Sequence, residues 1–142
     1  FGASRRARVR AHADIVTGLA WSPDGGRLAA VGLDKAVVLW DAASPKPETT
    51  VSLVGHADPI RTVLYLRDGL LASVSMAGHM ILWDPRAAVQ VAEFHLSDRL
   101  ATSVAVSPDG RRVVTDRVAF HRARPRPPPG PVGSRGRRRR GR

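Results

Sequence analysis

Residues 55–84 read GHADPIRTVLYLRDGLLASVSMAGHMILWD, and residues 11–41 read AHADIVTGLAWSPDGGRLAAVGLDKAVVLWD. Placing His12 on His56 and Trp40 on Trp83 aligns the two stretches with offsets of 44 and 43 residues. A shorter third unit follows, in which Ser107-Pro108-Asp109-Gly110 restates Ser22-Pro23-Asp24-Gly25 at an offset of 85. Self-similarity at this period means one supersecondary unit used repeatedly, each too thin to bury its apolar faces except against a neighbour.

Each unit divides into short apolar runs separated by turn residues, the pattern of an all-β chain. In the first unit the runs are 16–21, 27–31, 36–40 and 50–54; in the second they are 60–65, 70–74, 79–83 and 90–94. In Ser22-Pro23-Asp24-Gly25, Pro presets φ, Asp bonds its own backbone, and Gly accepts the left-handed conformation that a bulged hairpin requires. Val37, Val38, Leu39 and Trp40 are apolar without alternation, which marks a strand buried on both faces. The third unit supplies runs at 101–106 and 112–115, and there the repeat pattern ends.

The order Gly/Ala-His, apolar run, Asp-Gly, Leu-Ala-Ala/Ser and Leu-Trp-Asp resembles the WD-repeat β-propeller family. Leu39-Trp40-Asp41 and Leu82-Trp83-Asp84 carry the resemblance most specifically. It implies an all-β fold, an incomplete β-propeller of four-stranded antiparallel blades over 5–116. The repeats are 11–54, 55–96 and a truncated 97–116, followed by a disordered basic tail over 117–142. Such a ring is closed by about four to eight blades. Two and a half units, together with Phe1 in place of Met, imply a fragment whose open faces are covered by the remaining blades of a parent protein or by self-association. The chain alone is therefore not expected to be a stable monomer. Alternation of Arg with Ala and Val in 5–10 suits the charged outer edge of a preceding blade.

The family resemblance also implies a buried hydrogen-bonded line in each blade: His, Ser or Thr, Asp and Trp. Carried over by position, the first blade offers His12, Asp34 and Trp40, with Ala30 where the hydroxyl belongs. The second offers His56, Ser73 and Trp83, with Ala77 where the Asp belongs; Ser97 stands at the His position of the third. A buried indole N–H needs an acceptor, and a hydroxyl both accepts and donates, so each substitution breaks a network that is costly when partly satisfied. The same resemblance places partner-binding loops at Asp14, Leu33 and Lys35 in one blade and at Asp58, Met76 and His79 in the next. A non-catalytic scaffold for protein partners is the function it implies.

No G-x-S-x-G, H-E-x-x-H or P-loop sequence is present, and His79, His95 and His121 stand apart from one another in the sequence. No catalytic residue, cofactor or metal is expected. Two enzyme-linked alternatives remain. Trp83-Asp84-Pro85-Arg86 looks like the Trp-Asp-x-Arg signature of propellers that act as substrate receptors on cullin-type ubiquitin ligases. Trp21-Ser22-Pro23-Asp24-Gly25 is also similar to repeats of TolB-like propellers and of the gating propellers of prolyl oligopeptidases.

Cysteine is absent, which excludes disulfides and thiolate metal sites and favours an intracellular setting, cytoplasm or nucleus. No apolar run is long enough to cross a bilayer, so no membrane partner is expected. The net charge of +11 is uneven along the chain. Residues 117–142 hold ten Arg and no acid, whereas residues 11–116 hold nine Lys/Arg against twelve Asp/Glu. Residues 1–10 add four Arg, so attraction to polyanions belongs to the two ends and not to the repeats; RNA or DNA binding is expected through the tail, at arginines 137–140. The proline run 125–131 has a polyproline tendency and suits an SH3-type groove loosely. The abrupt change of text after Thr115 also fits a shift of reading frame in GC-rich DNA.

Overall fold

The computed structural model describes residues 12–43, 50–96, 103–107, 109, 112–116 and 118–122. Within these the chain is all-β. Strands β1 (Val16–Trp21), β2 (Arg27–Gly32), β3 (Val37–Asp41) and β4 (Val51–Leu53) form one four-stranded antiparallel sheet in sequence order. Strands β5 (Ile60–Tyr65), β6 (Leu71–Ser75), β7 (His79–Asp84) and β8 (Val89–His95) form a second sheet with the same order. A third sheet holds β9 (Val104–Val106), β10 (Arg112–Thr115) and β11 (Val118–Arg122), with β10 in the middle.

The last strand departs from the sequence reading. The repeat pattern ends at Thr115 and assigns everything from residue 117 to a disordered tail, yet Val118–Arg122 pairs with β10 as a third strand. Its partner has an unpaired edge, and edge hydrogen bonding recruits a short extended segment with little regard to side-chain composition. The expected edge strand over 5–10, the position of Ser97 and the remainder of the tail, 123–142, lie outside the described residues.

Turn chemistry repeats with the strands. In the first sheet the Ser22 carbonyl accepts from Gly25 N–H at 2.9 Å, and the Ser22 hydroxyl donates to Asp24 Oδ1 at 2.6 Å. The same hydroxyl accepts from Arg27 N–H at 2.9 Å. Gly25 has φ 70°, the left-handed region its lack of a Cβ permits. In the third sheet the Ser107 hydroxyl likewise accepts from Arg112 N–H at 2.9 Å and donates to Asp109. The β5–β6 turn lacks the Ser and uses Asp68 alone, whose Oδ1 accepts from Leu70 N–H at 3.1 Å.

Two apolar layers join the three sheets. The first combines Ala29, Val31, Val37, Leu39 and Leu53 of one blade with Ile60, Val63, Leu71, Ile81 and Trp83 of the next. Leu66, Ala72, Val74, Met80, Leu82, Ala92 and Leu96 form the second, with Val104 of β9 packed against it. Alternate residues of β6 and β7 thus enter opposite layers, which is why these strands carry no polar face. Both β1–β2 and β5–β6 shift register near their start, between Val16 and Gly18 and between Ile60 and Thr62. At the first shift the Thr17 hydroxyl donates across the blade interface to the Ile60 carbonyl at 2.5 Å.

Candidate interaction surface

Six residues were expected to form partner-binding loops, and the backbone brings them to one end of the two complete sheets. Leu33 N–H donates to the Ile15 carbonyl at 3.0 Å, tying the β2–β3 turn to the loop before β1. In the second blade Met76 N–H donates to the Pro59 carbonyl at 2.8 Å, the equivalent tie. Asp14 is exposed, and its Oδ1 accepts from Ile15 N–H at 2.7 Å. Lys35 is exposed in the left-handed conformation, with φ 66°. Leu33, Asp58, Met76 and His79 are half-buried.

His79 has neighbours that the sequence does not reveal. Antiparallel pairing of β7 with β8 sets it directly opposite His95, and the two rings meet edge to face with centroids 4.6 Å apart. Its Nδ1 lies 3.6 Å from Glu93 Oε1. These residues look isolated along the chain because only the cross-strand register, fixed at the turn after Asp84, places them together.

Beneath this rim lie the buried lines. In the second blade Trp83 Nε1–H donates to Ser73 Oγ at 2.8 Å, and Ser73 Oγ stands 2.7 Å from His56 Nε2. The indole can only donate, so Ser73 Oγ accepts from Trp83 and pairs at the same time with the imidazole, which is neutral. Burial agrees with this, pushing the His56 pKa down to about 4. Gly55 permits the close approach, since a Cβ there would stand 2.8 Å from Trp83 Cη2.

In the first blade His12 Nδ1 donates to Asp34 at 2.9 Å, and the same carboxylate accepts from Ala13 N–H at 3.0 Å and Ala36 N–H at 3.2 Å. Burial opposes the charge of Asp34, but these hydrogen bonds outweigh it and hold its pKa below the usual carboxylate value. Ala30 supplies no hydroxyl, and both His12 Nε2 and Trp40 Nε1 are buried without a partner among the described residues. The two blades thus break the line differently. One lacks its centre and the other lacks the Asp, since Ala77 occupies that turn.

Neither line forms an open reactive cluster. Among the described residues no group of three or more His, Cys, Asp or Glu is placed to hold a metal ion, and no helix is long and apolar enough to cross a membrane. Asp84 of the Trp-Asp-x-Arg sequence caps its own turn, its Oδ1 accepting from Arg86 N–H at 2.9 Å and Ala87 N–H at 3.2 Å. The Arg86 side chain is exposed.

Residues 4–41 match the family model described as WD domain, G-beta repeat. A similar protein is telomerase protein component 1 of Mus musculus, 36% identical over 91 residues. The aligned part is 62% of this chain and 3% of that relative, so the chain spans only a small share of the relative's length. Two four-stranded sheets in sequence order, each with Leu-Trp-Asp on its third strand, together with these matches, support a WD-repeat reading of the chain, with the family match itself confined to residues 4–41.

Proposed function

We propose that the chain is a non-catalytic, intracellular scaffold that binds protein partners through the rim carrying Asp14, Leu33, Lys35, Asp58, Met76 and His79. The observation that supports this most is the pair of backbone ties, Leu33 to Ile15 and Met76 to Pro59. They order two loops per blade before any partner arrives, which lowers the entropy that binding must offset. Rigid sheets presenting such loops are an interaction surface by construction. The test is a quantitative pull-down from cell extract with all six residues changed to Ala. Loss of the partners captured by the unmodified chain is expected, and their full retention sinks the assignment of the rim.

Charge partition favours a second reading, in which the Arg-rich tail binds RNA or DNA. Phosphate contacts by Arg make affinity fall steeply with salt. Because residues 118–122 belong to the third sheet, the informative change is Arg to Gln at 137–140 and not removal of everything from 117. Affinity for a single-stranded oligonucleotide should drop and its salt dependence flatten. Unchanged binding would remove the tail from consideration.

A further inference from the structure

At the opposite ends of the sheets from the proposed partner rim, three turns converge on a cleft of about 380 Å3 between the first and second blades. Arg27, Arg67 and Arg86 line it, one from the start of β2, one from the β5–β6 turn and one from the β7–β8 turn. Arg27 is fixed in place, its Nη1 donating to the Pro85 carbonyl of the neighbouring blade at 2.8 Å. Arg67 and Arg86 are exposed on either side.

Two carboxylates, Asp24 and Asp68, share the lining; each engages its own turn through Oδ1, and Asp24 also lies in the field of the Arg86 guanidinium. Asp24 Oδ1 accepts from the Ser22 hydroxyl and from Gly26 N–H at 2.9 Å, while Asp68 Oδ1 accepts from Leu70 N–H. The guanidiniums outnumber them, so the cleft is positive within a repeat region that is otherwise mildly acidic. Tyr65 adds a phenolic hydroxyl to the wall, buried and without a partner among the described residues. Such a convergence of guanidinium donors, only Arg27 Nη1 among them engaged by a backbone carbonyl, is what an anionic ligand in a concave site requires.

We propose that this cleft binds a phosphate monoester carried on a peptide side chain. Three guanidiniums suit the three terminal oxygens of a phosphate better than the two of a carboxylate, because each planar fork can pair with adjacent oxygens. The volume exceeds what a bare phosphate fills and leaves room for the side chain that bears it. A nucleic-acid backbone is disfavoured, since it needs a continuous positive track and residues 11–116 carry more acids than bases. A second cleft, between the second and third sheets, is lined by Arg67, Asp68, Ser107, Asp109 and Arg112; its two arginines are balanced by two aspartates, so the excess of guanidinium belongs to the first cleft. The site is separate from the partner rim and stands or falls independently of it.

The test uses the full chain with arginines 124, 126, 135, 137–140 and 142 changed to Gln, which removes competition from the tail beyond the third sheet. The probe is a fluorescein-labelled Gly-Ala-phosphoserine-Ala-Gly peptide followed by anisotropy. We expect saturable binding that the unphosphorylated peptide lacks, with R67Q and R86Q each weakening it roughly tenfold, about 1.4 kcal/mol. R67K, which keeps the charge and loses the fork, should fall between. Both arginines are exposed, and an unchanged thermal melt of each variant shows that folding is intact. Equal binding of both peptides, or full affinity in the R67Q/R86Q double variant, overturns the proposal. So does competition by inorganic phosphate as strong as that by unlabelled phosphopeptide, which removes the peptide, or tighter binding of a single-stranded oligonucleotide, which replaces it.

Discussion

Ser73 satisfies two buried groups at once, and its counterpart Ala30 satisfies none. Removing the hydroxyl by Ser73→Ala strands Trp83 Nε1 and His56 Nε2, and each unmet buried group costs about 1–3 kcal/mol. The reverse change, Ala30→Ser, offers an acceptor to Trp40 Nε1 and a hydroxyl partner to His12 Nε2, and should stabilise by about 1 kcal/mol. Urea unfolding of both variants checks the pair, and a lower midpoint for Ala30→Ser would refute the assigned roles. His56 also ties stability to pH. Its pKa is about 4 when folded and 6.5 as a free side chain, so between those values the unfolded chain binds more protons. Stability from this group is complete above pH 6.5 and falls by roughly 3 kcal/mol as the pH drops to 4. Comparing urea midpoints of the wild type and His56→Gln across that range isolates it from the carboxylates; parallel profiles would count against a neutral buried imidazole.

At the scale of elements, the sequence is most readable where one residue type answers one local demand. The Ser-Pro-Asp-Gly turn announces itself because its hydroxyl, carboxylate and glycine each close a bond within five residues, and the structure repeats those bonds at Ser107 and Asp109. The unbroken apolar runs of β3 and β7 are equally readable, since strands packed between two layers tolerate no polar side. β11 was hidden because its signal is an edge to pair with and not a pattern of its own; Val118–Arg122 sits in text dominated by Arg and Pro. The phosphate cleft was hidden for a related reason. Arg27, Arg67 and Arg86 come from three turns on two blades, and only the stacking of blades makes them neighbours. The His79–His95 pair depends likewise on cross-strand register.

For the whole molecule, the decisive contrast is between two faces that the repeat makes equivalent. Ile60, Val63 and Tyr65 of β5 pack against the first blade, and Ile60 and Val63 are fully buried there. The residues in the same repeat positions on β1, Val16, Leu19 and Trp21, face away from the second blade. Leu19 is 62% and Trp21 56% exposed, beside Ile15 at 65%. Covering side chains of this kind is worth about 1.5–3 kcal/mol each, so a chain presenting them together gains by finding a second apolar sheet face. The isolated 142-residue chain should therefore self-associate, with the β1 face of one molecule against a sheet of another. Sedimentation velocity should show a weight-average size that grows with concentration, and thermal melting a midpoint that rises with it. Changing Leu19 and Trp21 together to Lys puts charge on that face without touching the layer between the blades, and should return the chain to a smaller species. A concentration-independent monomer with one sharp melt would mean that the layer joining the blades holds the fold without further cover, and the association predicted from β1 would be wrong.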